Sequence, residues 1–134
     1  MTEVAIVPNL LVHDAAAAVA WYRAAFGAEV AFRIGEPGAE AFAMLTIGEA
    51  RFFVADESPE LGNPSPHTLG GSGVRIDLLA ADPDGIHARA VAAGGTEVSP
   101  VRDEEHGPRM GVVRDPFGHT WLIGAPWDPR TGDD

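Results

Sequence analysis

Apolar positions fall into short runs whose period changes along the chain. Ala5 to Val12 is apolar and β-prone, with Pro8 and Asn9 as interruptions, and predicts a strand that lies near a sheet edge at Pro8. Asp14 is a suitable N-cap. From Ala15 to Phe26 the period shifts, and Val19, Tyr22 and Phe26 share one helical face. Gly27 is placed to stop that helix in the left-handed conformation. Glu29 to Ile34 returns to a strand, and Gly35, Pro37 and Gly38 make a turn. Ala41 to Ile47 and Ala50 to Ala55 predict a hairpin across Gly48 and Glu49.

The period is lost from Asp56 to Gly73, a stretch with Pro59, Gly62, Pro64 and Pro66 that closes on Gly70-Gly71-Ser72-Gly73. It reads as a linker, or as a lid over a site. The order then repeats. Val74 to Ala80 is a strand, Asp82 a cap, and Pro83 the first helical residue. Ile86, Ala90 and Ala93 mark a helical face that Gly94-Gly95 ends. Thr96 to Val101, Met110 to Arg114 and Thr120 to Ile123 are strands, with a charged loop at Arg102 to Pro108 and a turn at Asp115 to Gly118. The tail after Pro126 is polar and expected to fray, apart from Trp127.

The second half repeats the first in residues as well as in order. Shifted by 68 positions, Val7 to Val30 lies over Arg75 to Val98 without a gap. Leu10, Leu11 and Asp14 meet Leu78, Leu79 and Asp82, and Gly27, Glu29 and Val30 meet Gly95, Glu97 and Val98. The predicted fold is α+β, two tandem βαβββ modules within one domain spanning 1–134. The modules cover 5–55 and 74–124, the linker 56–73 and the tail 125–134. One helix covers one face of each four-stranded sheet, so the other faces must pack on something or line a cavity. Two such sheets placed together would form a cup.

Composition narrows the chemistry. The 134 residues are 46% hydrophobic, enough for a core, and there is no Cys, which excludes disulfides, thiolate ligands and a thiol nucleophile. No basic-then-apolar leader and no long apolar run is present, so a cytoplasmic protein with no membrane partner is expected. A formal charge of -11, from 20 acids against 9 cations, argues against nucleic acid as a partner. The serines lack any nucleophile-elbow context, and the Gly70–Gly73 run lacks the Lys of a phosphate loop. The carboxylate pairs Glu104-Glu105 and Asp133-Asp134 read as solvated surface.

The residues carry a resemblance. Pro8-Asn9-Leu10-Leu11-Val12-His13-Asp14, Trp21-Tyr22 and Ala25-Phe26-Gly27-Ala28-Glu29 form one signature. Gly107-Pro108-Arg109-Met110-Gly111, leading into Arg114-Asp115-Pro116-Phe117-Gly118-His119-Thr120-Trp121, forms another. From Ala5 to Ile123 the chain resembles the vicinal oxygen chelate superfamily of glyoxalase I, extradiol dioxygenases and bleomycin-resistance proteins. Within it the chain looks like the small PhnB-like proteins. The resemblance implies a cup that is often completed across a homodimer. It also implies four positions where metalloenzymes of this kind carry His or Gln, Glu, His and Glu. Counted from Asp14, from the repeat and from the Asp115–Gly118 turn, these positions are Val7, Phe52, Arg75 and Leu122. Three are apolar and Arg is a fixed cation, so no metal and no cofactor is expected. His13, His67, His87, His106 and His119 show no ligand spacing.

Strand parity then gives the expected lining of the cup. Asn9 and Leu11 go with position 7, Asp77 and Leu79 with Arg75, Thr120 with Leu122, and Ala50 and Val54 with Phe52. Apolar walls with a few polar groups suit a small molecule. The candidate ligand-binding residues are Asn9, Arg75, Asp77 and Thr120, with His106 at the rim and Arg109 in a loop that could close over a ligand. Arg75 and Asp77 would hold a ligand or form an internal or dimer-interface ion pair. Arg109 would equally serve as a partner for Asp103 or Glu105. His119 is expected to be structural, and Trp121 to face the helical layer. The expected function is metal-independent binding of a small molecule, such as an antibiotic or toxic metabolite. The alternatives are a metal-dependent glyoxalase-like lyase or isomerase and a non-enzymatic protein with a filled cup.

Overall fold

A computed structural model describes residues 3–131. Asp133 and Asp134 therefore lie outside the described residues, as does the end of the expected tail. The chain divides into two compact units, one ending at Leu69 and one beginning at Gly70.

The first unit holds β1 (Asn9–Val12), α1 (Ala15–Phe26), β2 (Glu29–Ile34), β3 (Phe42–Ile47) and β4 (Ala50–Asp56). The strands form one sheet in the order β1-β4-β3-β2. Pairing is parallel between β1 and β4 and antiparallel across the other two pairs. The expected strand from Ala5 begins only at Asn9, since Pro8 has no amide hydrogen to donate. The carbonyl of Pro8 still accepts from the Phe53 amide. Helix α1 is capped at both ends as its sequence requires. The Asp14 carboxylate accepts from the Ala17 amide, and Gly27 takes φ 68°. A second cap comes from across the sheet, where Asp56 at the end of β4 accepts from the Ala15 amide at 2.8 Å.

The core of this unit lies between α1 and one sheet face. Val12, Val19, Tyr22, Leu45, Phe52 and Val54 are buried there, with Tyr22 edge-on to Phe52 at 5.4 Å. The stretch after β4 is more ordered than its composition suggests. It holds a 3-10 turn (Pro59–Leu61) and a short helix, α2 (Pro66–Leu69). Glu57 organises it by accepting from the Ser65 amide and the Thr68 hydroxyl.

The second unit holds β5 (Arg75–Leu79), α3 (Pro83–Ala92), β6 (Thr96–Arg102), β7 (Met110–Arg114) and β8 (Thr120–Gly124). Its sheet order, β5-β8-β7-β6, repeats that of the first, as does its pattern of one parallel and two antiparallel pairs. Together the units give the α+β architecture of two βαβββ modules. Asp82 caps α3 through the Gly85 amide, with Pro83 in the first turn. Ala90, Val113, Trp121 and Ile123 fill the core on the α3 side. Among the described residues no helix is long and apolar enough to cross a membrane.

Candidate functional site

Each sheet has a face turned away from its helix, and alternation along the strands decides what that face carries. In the second unit Arg75 pairs with Thr120 and Asp77 with Leu122 across β5 and β8. Trp121, between them, is buried against α3 and donates its indole N–H to Asp115. Arg75, Asp77, Thr120 and Leu122 therefore share the other face. The Arg75 guanidinium holds the Asp77 carboxylate through two hydrogen bonds, Nε to Oδ1 at 2.7 Å and Nη2 to Oδ2 at 3.1 Å. Their side chains are 52% and 44% exposed, so this is an ion pair open to solvent with little effect on stability. It uses one edge of the guanidinium and leaves Nη1 available.

In the first unit Asn9 pairs with Phe53, on the sheet face away from α1. An aromatic row crosses this face, with Phe32 and Phe42 6.3 Å apart and Phe42 and Phe53 5.3 Å apart. The parity expected for β4 is corrected here. Phe52 and Val54 point into the α1 core, and Arg51, Phe53 and Ala55 take the other face. The slip arises from taking the β3–β4 turn at Gly48 as equivalent in length to the Asp115–Gly118 turn. The β3–β4 turn spans two residues, since Ile47 pairs with Ala50, whereas the β7–β8 turn spans five between Arg114 and Thr120. By backbone pairing the counterpart of Leu122 is Phe53.

Two other expected residues stand apart. His106 is 91% exposed in the β6–β7 loop, with Glu105 3.9 Å away. Arg109 does not reach over the sheet. Its guanidinium holds Asp84 on α3 through two hydrogen bonds, at 2.9 and 2.7 Å, and Asp103 at 3.2 Å. The hydrogen-bonded Arg109 guanidinium keeps the Asp84 carboxyl below its usual range. A depressed carboxylate contributes above its unfolded pKa and loses that contribution as pH falls through the folded value, so this tie persists into mild acid. We expect Arg109→Gln to leave small-molecule affinity within twofold of the parent by calorimetry while loosening the β6–β7 loop in amide exchange. A tenfold loss of affinity would return Arg109 to the site. The structural alternative for Arg109 foresaw Asp103; Asp84 was missed because 25 residues separate it from Arg109.

His119 is buried in the turn before β8, and its amide donates to Asp115 at 3.0 Å. A groove of about 440 Å³ runs along α3 between Ala88, Val91, Ala92 and Val101. Asp84 is engaged there by Arg109, and Nε2 of His87 by Glu97 at 2.9 Å. Among the described residues no three His, Cys, Asp or Glu side chains come together in a metal-binding arrangement.

Residues 4–123 match the Glyoxalase/Bleomycin resistance protein/Dioxygenase superfamily. The chain belongs to this superfamily. An uncharacterized protein of Mycobacterium bovis is 41% identical over 128 residues, covering 92% of this chain and 84% of the relative. TioX from Micromonospora sp. ML1 is similar in structure, with a TM-score of 0.70 and 27% identity over 92% of this chain and 98% of TioX. FosX, a fosfomycin resistance protein of Listeria monocytogenes solved with Mn(II) and sulfate, has a TM-score of 0.70. At 16% identity over 95% of this chain and 93% of its own, FosX supports the shared fold alone.

Proposed function

We propose that this superfamily member binds a small molecule without a metal ion, on the sheet faces that its helices leave uncovered. The observation that carries the reading is the chemistry of the four positions where metalloenzymes of this fold place ligands. By the 68-residue repeat and the pairing of β1 with β4 and of β5 with β8, these are Val7, Phe53, Arg75 and Leu122, three apolar side chains and a permanent cation. An apolar surface with a few oriented polar groups is what a small organic ligand needs. The second sheet supplies both on one face, where Leu122 and Leu79 lie beside the Arg75–Asp77 pair and Thr120; the first sheet carries an aromatic row on its own helix-free face. Sequestration of an antibiotic or toxic metabolite, a place among the PhnB-like members, a homodimer and a cytoplasmic location complete the proposal. His106 and Arg109 are left out of the binding surface, and Asn9 is retained beside Phe53.

Native mass spectrometry of protein purified without chelator, then exposed to Ni²⁺, Zn²⁺ and Mn²⁺, tests the reading. A metal-free mass that stays metal-free at low metal excess is expected, with any co-purified molecule retained. One stoichiometric metal per site would sink it and favour a metal-dependent lyase or isomerase. Arg75→Ala should leave the thermal midpoint within about 2 °C, because exposed ion pairs contribute little. It should still weaken any retained ligand.

A further inference from the structure

One transverse row of polar side chains crosses the second sheet on the face away from α3. Backbone pairing sets Arg75 beside Thr120, Thr120 beside Arg114, and Arg114 beside Thr96. Val113 and Trp121, next along β7 and β8, are the buried pair on the α3 side, so Arg114 and Thr120 occupy the opposite face. Strands lie about 4.8 Å apart, which puts the backbones at Arg75 and Arg114 roughly 10 Å apart with the Thr120 hydroxyl between them. Two long guanidinium side chains can converge over that hydroxyl.

The charges of this row are not balanced internally. All 9 cations of the chain are Arg, and it has 20 acids to offer them. Arg33, Arg75, Arg102, Arg109 and Arg130 each have a carboxylate partner. Arg114 is exposed and has no ion pair among the described residues. Like charges on one face of a sheet repel, and here Asp77 offsets only one of the two. An anion between them would remove the repulsion. The next positions on the same face are apolar: Val112 and Leu122 pair across β7 and β8, then Met110 with Gly124, with Leu79 on β5.

We propose that Arg75, Thr120 and Arg114 form a binding row for an oxyanion, the carboxylate, phosphonate or phosphate group of a small ligand whose apolar part lies along Val112, Leu122, Met110 and Leu79. Guanidinium groups match the paired oxygens of such anions and keep their charge at every physiological pH. The Thr120 hydroxyl donates a further hydrogen bond. Asp77 holds Arg75 in place and competes with the ligand for it. The proposal rests on the metal-independent reading, because it gives a guanidinium the part a metal would otherwise play.

The test is an NMR titration of the full chain in EDTA with acetate, methylphosphonate and inorganic phosphate, at constant ionic strength against chloride. Saturable shifts of the Thr120 and Arg114 amides are expected. Affinity should fall at least tenfold in Arg114→Gln and Arg75→Gln, rise a few-fold in Asp77→Asn, and stay unchanged in Arg23→Gln, at an exposed position of α1. The relative strengths of the three probes tell carboxylate from phosphorus oxyanions. Shifts spread equally over all arginines, or shifts indifferent to Arg114→Gln, overturn the row while leaving metal-free binding intact. Binding that is absent in EDTA and restored by Mn²⁺ overturns the metal-independent reading and the row with it. All four substitutions are at exposed side chains, so thermal midpoints close to the parent confirm that loss of binding is not loss of fold.

Discussion

Asp115→Ala is expected to destabilise the protein by about 3–5 kcal/mol, the effect of stripping one buried carboxylate from several donors at once. Its Oδ1 accepts from the Phe117 and His119 amides at 2.9 and 3.0 Å, and its Oδ2 from the Trp121 indole at 2.9 Å. Asp115 is 4% exposed, and Phe117, His119 and Trp121 are buried around it. Water cannot reach all three donors, so the deletion orphans them, each at about 1–3 kcal/mol before the turn relaxes. Asn is no remedy. Its amide nitrogen would face either the two backbone amides or the indole, setting donor against donor. Urea denaturation would read the loss directly, and the thermal midpoint should fall by on the order of 10 °C. A loss under 1 kcal/mol would mean that solvent enters the turn and takes over the carboxylate's part.

That turn explains why part of this protein was readable and part was not. Asp115-Pro116-Phe117-Gly118-His119 is a recognisable motif because one side chain closes a five-residue connection, and only Asp can do so with this set of donors. The connection brings Arg114 and Thr120 into register as cross-strand neighbours. The motif thus builds the candidate site without belonging to it. Arg114 has the opposite character. It caps a strand whose pattern is apolar, no motif points to it, and its pairing with Thr120 appears only once the length of the turn is known. Parity placed Asn9, Arg75, Asp77 and Thr120 on the sheet faces away from the helices because each lies a whole number of strand periods from a fixed point. It failed at Phe52 because the only fixed point was a hairpin, and two hairpins of different length shift the count by one residue.

The caps were legible for a local reason. Asp14 and Asp82 satisfy amides three residues on, and Gly27 takes the left-handed conformation that other residues avoid. Their long-range counterparts were not. Asp56 reaches the start of α1 from 41 residues away, and Arg109 ties its loop to α3. No period or spacing encodes such a tie, since it depends on which helix end the sheet delivers next to which strand end.

Gly111→Ala is the second large expected effect, a loss of about 2–3 kcal/mol from overpacking. Gly111 ends the Gly107-Pro108-Arg109-Met110-Gly111 signature, and its conformation demands nothing special. The constraint is space. A Cβ there would lie 2.8 Å from the Val101 amide nitrogen, 2.9 Å from the Ser99 carbonyl oxygen and 2.9 Å from Nδ1 of His87. Two of these are backbone of β6, at the point where its register with β7 is already irregular. The third belongs to a buried ring whose Nε2 is 2.9 Å from Glu97 and whose Nδ1 has no hydrogen-bond partner among the described residues. A carboxylate can only accept, so the ring donates Nε2–H to Glu97, and turning it aside for a methyl group would break that bond. Glycine at this position is what leaves room for the His87 ring of α3 beside β7. A double-mutant cycle separates the two sources of strain. If the ring is the main obstacle, His87→Ala should recover at least 1 kcal/mol of the Gly111→Ala loss. If the two losses simply add, the clash lies with the β6 backbone, and β7 must move. In that case Arg114 on β7 moves with it, and oxyanion affinity should fall in Gly111→Ala although the substitution lies on the opposite face of the sheet.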